Sequence, residues 1–326
     1  MPALAKVSLL LVVILVSLAA YLRLANSGIG CQDWPDCYGR LGSVSAARLA
    51  LVDQSLGLTG ANADQDVASN KPMAWATPAH RLVASALGLL IVAITILAFR
   101  ARRHRLLSLA LLGLTVFLAV LGIKSGGLHN PAVVMGNLVG GFGLLGLLGW
   151  LVMGQAGKSA RGELAPWRWG LLATVLLAAQ IVLGGLTSAN FAATACMTVP
   201  DCHGSYLPGP ELGRAFDIST QHQVGPTGVV VGGPQQADIQ KLHRLGALAT
   251  MLLVLITGIL AMRAGPRTRI AGIALIVLGV AEIWVGIASV MAKLPIGLAV
   301  AHNWMAGLLL LNLLAIVALS RKGGYE

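Results

Sequence analysis

The stretch Ala79-His80-Arg81-Leu-Val-Ala-Ser-Ala-Leu-Gly-Leu-Leu-Ile-Val-Ala-Ile-Thr-Ile-Leu-Ala-Phe99, followed at once by Arg100-Ala-Arg-Arg-His-Arg105, decides how the chain is read. From Leu82 to Phe99 no residue is charged. A bilayer core about 30 Å thick takes roughly 20 apolar residues to cross as helix. Backbone groups in lipid must bond internally, so such a run predicts a transmembrane helix. The Arg-rich tail is a solvated anchor of the kind that marks the cytoplasmic side. The opposite end carries a histidine beside an arginine.

Seven further stretches read the same way: Val7–Arg23, Leu106–Ile123, Pro131–Met153, Trp169–Ala189, Leu242–Met262, Ile270–Met291 and Ile296–Leu319. Glycines such as Gly136, Gly140 and Gly141 suit close helix packing. The first span follows Lys6 and resembles a signal peptide, but its apolar run is long for one and it has an internal counterpart, so it reads as a retained helix. The 326 residues are 56% hydrophobic and 11% charged, with a mean hydropathy of +0.80. Soluble domains carry about 25% charged residues. That gap excludes an ordinary soluble enzyme, a disordered chain and a disulfide-dense secreted domain.

The net charge of +11 invites a nucleic-acid partner. Its distribution argues otherwise. With both termini placed inside, most basic residues fall in inner segments, against only Glu163 and Glu326. The outer side is nearly neutral. This is the positive-inside pattern, so the charge predicts topology and no nucleic-acid partner. Two loops, about 24–78 and 190–241, lie outside and are too long for simple connectors.

The chain repeats itself. Cys31-Gln-Asp-Trp-Pro-Asp-Cys37-Tyr-Gly resembles Cys196-Met-Thr-Val-Pro-Asp-Cys202-His-Gly. His80-Arg-Leu-Val-Ala resembles His243-Arg-Leu-Gly-Ala, and His129 and His302 both open the fourth helix of their half. Leu121-Gly-Ile-Lys-Ser echoes Val285-Gly-Ile-Ala-Ser. Each half has four spans, an even number, so both share one orientation. The expected fold is an all-α polytopic membrane protein. Its eight helices form two tandem four-helix bundles related by a pseudo-two-fold axis along the membrane normal. Residues 1–155 and 156–326 are the two units.

The repeat sets His80, His129, His243 and His302 near the outer face. Imidazole is a strong iron ligand, and bundle cores hold cofactors between facing helices. Two histidines from two helices suit one haem, and two such pairs suit two haem-sized sites. Zinc or copper fits less well, because those sites gather three or four close ligands. Arg23, Arg81 and Arg244 are candidates to pair with haem propionates. His104, His203 and His222 read as surface histidines. Both C-x5-C pairs lie outside, so Cys31–Cys37 and Cys196–Cys202 are expected disulfides, either loop staples or redox groups. Glu282 is the one acid within a span, and Gln180 has a similar place before a glycine. An interhelical hydrogen bond and a proton path are both open for them.

The pattern resembles the haem A synthase family over nearly the whole chain. The resemblance rests on Arg23-Leu-Ala-Asn-Ser-Gly with Cys31…Asp33-Trp34-Pro35…Cys37, on Ala79-His80-Arg81, Leu242-His243-Arg244 and Leu128-His129-Asn130, and on Leu294-Pro295…Ala301-His302-Asn303. It implies oxidation of the C8 methyl of haem O to a formyl group by successive hydroxylations, with water as the oxygen source. By position, His80 and His129 become catalytic ligands of the substrate haem. His243 and His302 become ligands of a resident haem b that relays electrons. One departure stands out. Many members have a glutamate three residues before the first histidine, and here Thr77 takes its place. Asp53, Asp64 and Asp66 share that loop and are candidate substitutes.

Two other classes compete. A membrane electron-transfer cytochrome b would share the histidines without modifying haem O. A quinone-linked disulfide oxidoreductase would use the cysteines and leave the histidines unexplained. The expected partners are haem O, the haem O synthase that supplies it, membrane lipid and an unidentified electron acceptor, with homo-oligomerisation open. The expected location is a bacterial plasma membrane, with both termini cytoplasmic.

Overall fold

Residues 2–26, 75–124, 130–154, 166–219, 222–223 and 230–320 are described in the computed structural model. Among them lie nine helices: α1 (Pro2–Asn26), α2 (Ala76–Arg100), α3 (Arg105–Lys124), α4 (Pro131–Met153), α5 (Pro166–Ala189), α6 (Leu212–Ala215), α7 (Pro234–Ala264), α8 (Pro266–Met291) and α9 (Ile296–Ser320). All except α6 are long and apolar enough to cross a membrane, and they coincide with the eight expected spans. Their outward faces are apolar: Leu82, Leu89, Val175, Leu248 and Val277 are all exposed. In water that surface would drive aggregation, and in lipid it is solvated.

The helix starts follow local chemistry. Pro131, Pro234 and Pro266 sit in the first turn, where a missing N–H costs nothing. Asn130 caps α4 by accepting a hydrogen bond from the Ala132 N–H at 2.9 Å. Helix α7 begins well before the expected Leu242. Its added turns are polar, Gln235-Gln-Ala-Asp-Ile-Gln-Lys241, and they are used by the outer loop. Gln236 Nε2 donates to the Asn190 carbonyl at 2.7 Å, and Gln240 Nε2 to the Ala193 carbonyl at 3.2 Å. Buried Asp238 pairs with Lys241 at 3.5 Å. Much of the expected 190–241 loop is therefore ordered helix and turn seated on α5 and α7.

Helix α1 packs against α2 and α4, and α3 packs against the same two. Likewise α5 packs against α7 and α9, and α8 packs against those two. Contacts between the groups run from α4 to α9 and α5, and from α1 to α9. Leu145 and Leu148 of α4 and Leu313 and Ile316 of α9 are fully buried in one shared apolar cluster. Fully burying such a side chain is worth roughly 1.5–3 kcal/mol in water. In lipid the gain comes from close packing instead. The expected glycine packing is present in α4, where Gly140 lies directly against Leu118 of α3.

Candidate functional site

His243 stands on α7 and His302 on α9, and their rings face each other across a cavity of about 370 Å³. The ring centroids are 6.3 Å apart and the planes are nearly perpendicular, at 83°. A metal–imidazole bond is about 2 Å, and the ring centre lies about 1.1 Å behind the nitrogen. Two imidazoles facing across one metal therefore have centres about 6 Å apart. The observed spacing fits that arrangement. The cavity volume lies within the usual range of small-molecule sites, about 300–1,000 Å³.

Each ring is held by one residue from a third or fourth helix. The Gln180 amide, on α5, places Nε2 3.0 Å from His243 Nδ1 and donates from Nε2 to the His243 carbonyl at 2.9 Å. Glu282 Oε1, on α8, lies 3.2 Å from His302 Nδ1. That is an ion-pair separation short of a formed hydrogen bond, because His302 Nδ1 and Glu282 Oε2 are buried with no hydrogen-bond partner. Gln180 Oε1 is likewise buried without a partner. Unsatisfied buried polar atoms are rare and point to function. In both cases Nδ1 faces the neighbour, which leaves Nε2 for a ligand. A carboxyl oxygen at Nδ1, as at His302, is the common arrangement of metal-bound histidines, whereas at His243 the atom at Nδ1 is the Gln180 Nε2 donor.

One turn along each supporting helix is a glycine. A Cβ on Gly184 would lie 3.2 Å from His243 Cε1, and one on Gly286 would lie 3.3 Å from His302 Cε1. Gln180 with Gly184, and Glu282 with Gly286, are thus i, i+4 pairs that receive an imidazole on one face of their helix.

Arg23, in the last turn of α1, reaches this cavity from the other group of helices and donates to Asn303 Oδ1 at 3.2 Å. Asn303 directly follows His302. Arg244 lines the same cavity, but its guanidinium is committed elsewhere. It donates to the carbonyls of Cys196 at 2.7 Å, Thr198 and Asp201 at 2.8 Å, and Pro200 at 3.3 Å. Those carbonyls belong to the loop closed by the Cys196–Cys202 disulfide, which is formed.

The model for COX15-CtaA, cytochrome oxidase assembly protein, matches residues 3–314. The chain belongs to this family. A "Heme A synthase" of Shewanella oneidensis is 33% identical over 95% of this chain and 94% of its own length. Proteins of the same name from Allorhizobium ampelinum and Rhizobium johnstonii are each 26% identical. They cover 91% and 78% of this chain, and 84% and 71% of their own lengths.

In this COX15-CtaA chain the structure brings together His243, His302, Arg23 and Arg244. His80 lies half-buried in the first turns of α2, with exposed Arg81 beside it, and neither is among the described residues lining the cavity. Thr77 is exposed at the start of the same helix. His129, Cys31, Cys37, Asp53, Asp64 and Asp66 lie outside the described residues. His104 and His203 are exposed, as expected of surface histidines. His222 is instead half-buried: its Nε2 lies 2.6 Å from the Ala189 carbonyl, and its ring meets Phe191 edge-on. The contacts of Gln180 and Glu282 with the two rings were not assigned from sequence. The signal was present in the shared spacing to a following glycine.

Proposed function

We propose that the chain is a haem A synthase, oxidising the C8 methyl of haem O to a formyl group in a bacterial plasma membrane. The observation that carries this is the facing His243–His302 pair, within a family whose relatives bear that name. Converting a methyl to a formyl group with water as oxygen source releases four electrons and four protons. One-electron transfer is thus needed four times for each product. Haem b held by His243 and His302 would supply that relay.

The chain's own residues divide the work. Helices α1 to α4, within residues 1–155, form the substrate half. His80 and His129 are the catalytic ligands that hold haem O there. Helices α5 to α9, within residues 156–326, form the relay half. The two closed sets of helix contacts support two tandem four-helix bundles related by an axis along the membrane normal. The positive-inside pattern of the basic segments supports cytoplasmic termini, with the histidines and the disulfide toward the outer face. Arg23 is the first candidate for a haem carboxylate, since it enters the His302 cavity from α1. Arg81 is the matching candidate in the substrate half. Arg244 serves His243 indirectly, by tying the disulfide-closed loop over the site. Haem O synthase is the natural supplier of substrate, and a membrane electron acceptor completes the cycle.

A cytochrome b without turnover and a quinone-linked disulfide oxidoreductase are not favoured. The first does not match the relatives' names. The second leaves the facing histidines without a purpose. Co-expression with a haem O source, followed by chromatography of extracted haem, tests the assignment. Haem A is the expected product. Unchanged haem O would overturn the enzyme reading.

A further inference from the structure

The two polar partners of the facing histidines differ in charge type, and the repeat shows that neither is a general feature of the fold. Counting back from the shared Leu22-Arg-Leu-Ala-Asn26 and Leu186-Thr-Ser-Ala-Asn190, Gln180 corresponds to Val16 and Gly184 to Ala20. Counting back from Leu121-Gly and Val285-Gly, Glu282 corresponds to Leu118. In the structure Leu118 packs on Gly140 of α4, and Val16 packs on neighbouring Gly141. Both N-terminal positions are therefore ordinary apolar helix contacts. At the C-terminal pair the same positions carry polar residues that meet Nδ1 of each ring.

We propose that Gln180 and Glu282 are positioning residues for the axial histidines of the resident haem. Their unequal chemistry, a neutral amide at His243 and a carboxyl group at His302, sets that haem's reduction potential. The inference rests on the haem-ligand reading above. An imidazole that binds iron through Nε2 carries its proton on Nδ1, and an oxygen there fixes the tautomer and the ring plane. At His302 that oxygen is Glu282 Oε1, already at 3.2 Å, with Glu282 Oε2 a buried acceptor without a partner; at His243 the neighbouring atom is the Gln180 Nε2 donor, at 3.0 Å, so no acceptor oxygen stands there. A carboxylate accepts more strongly than an amide. It makes the His302 ring the stronger electron donor to iron and favours the oxidised state. A lone carboxylate in the apolar interior of a membrane protein is costly, so its place beside one ligand only is a specific feature. The glycines Gly184 and Gly286 complete the device by letting each ring lie against the supporting helix.

The test is redox titration of the haem in purified full-length protein, followed by its visible spectrum. Glu282→Gln is expected to keep its low-spin haem with a midpoint potential above the wild type. Gln180→Glu is expected to shift it the other way. Opposite shifts from two isosteric changes are not produced by a merely structural role. Gln180→Val and Glu282→Leu copy the N-terminal pattern, and haem binding should weaken about 10- to 100-fold. Should Glu282→Gln fail to accumulate, Glu282→Asp keeps a carboxyl group and is expected to retain haem with a smaller potential shift. Full haem content with an unchanged potential in Glu282→Gln or in Gln180→Glu would overturn the proposal. A wild-type protein without low-spin haem, or a His302→Ala protein that retains it unchanged, would instead overturn the ligand reading beneath it.

Discussion

The two halves of the chain share their landmark histidines and differ in what surrounds them. Around His243 and His302 the structure sets Gln180, Glu282 and two close-fitting glycines. Around the corresponding N-terminal helices the same positions hold Val16, Leu118, Ala20 and Gly122, so of the four only the glycine at 286 is repeated. A resident cofactor benefits from ligands locked in one orientation, whereas a substrate must enter and leave. The unequal surroundings match the unequal roles proposed above, one half to retain a haem and the other to process one. His302 lies a turn and more inside α9, where the helix fixes its direction.

The largest test of this contrast lies in the glycines. Gly184→Leu or Gly286→Leu puts a side chain where an imidazole lies. Each should lower resident haem content at least about tenfold, the scale expected when a ligand's support is lost. Ala20→Leu, its repeat counterpart, should leave that haem intact. Pyridine haemochrome assays of the three purified variants decide it, and equal losses in all three would erase the contrast.

Arg244→Ala comes next. It removes the donor to four carbonyls of the Cys196–Cys202 loop. Hydrogen bonds from charged groups contribute about 1.5–3 kcal/mol each, and shared carbonyls do not add fully, so the loop should lose roughly 2–3 kcal/mol. Hydrogen exchange across residues 196–205 should speed up by a comparable factor. If exchange there is unchanged, the clamp role is wrong and Arg244 is free for a haem carboxylate.

The smallest effect concerns the N-terminal acid. If one of Asp53, Asp64 or Asp66 replaces the carboxyl group absent at Thr77, its Asn variant should lower haem A yield and Thr77→Glu should partly restore it. Quantified haem A from matched cultures reads this directly. Full yield from all three variants would show that no loop aspartate takes part.

Much of the architecture was legible in the sequence. Hydropathy alone located every long helix among the described residues, because lipid demands uninterrupted apolar length. It misplaced the start of α7, because Gln235 to Lys241 are polar and their helix is stabilised by bonds to the outer loop rather than by lipid. The repeat picked out the histidines, and the structure brings His243 and His302 face to face. The glutamine and glutamate were visible as repeat-related oddities. That they meet Nδ1 of each ring depends on helix rotation, which spacing alone does not specify. Arg244 followed a histidine and suggested a haem carboxylate. Its actual carbonyl partners belong to a loop whose path is set by tertiary packing.

On the proposed division of labour, one half retains haem b and the other handles haem O. Visible spectra and extracted haem of purified His302→Ala and His80→Ala proteins, each co-expressed with a haem O source, separate the two roles. His302→Ala is expected to lose the resident low-spin haem b, while His80→Ala keeps it and makes no haem A. Loss of the same haem b in both variants, or haem A from the His80→Ala protein, would contradict it.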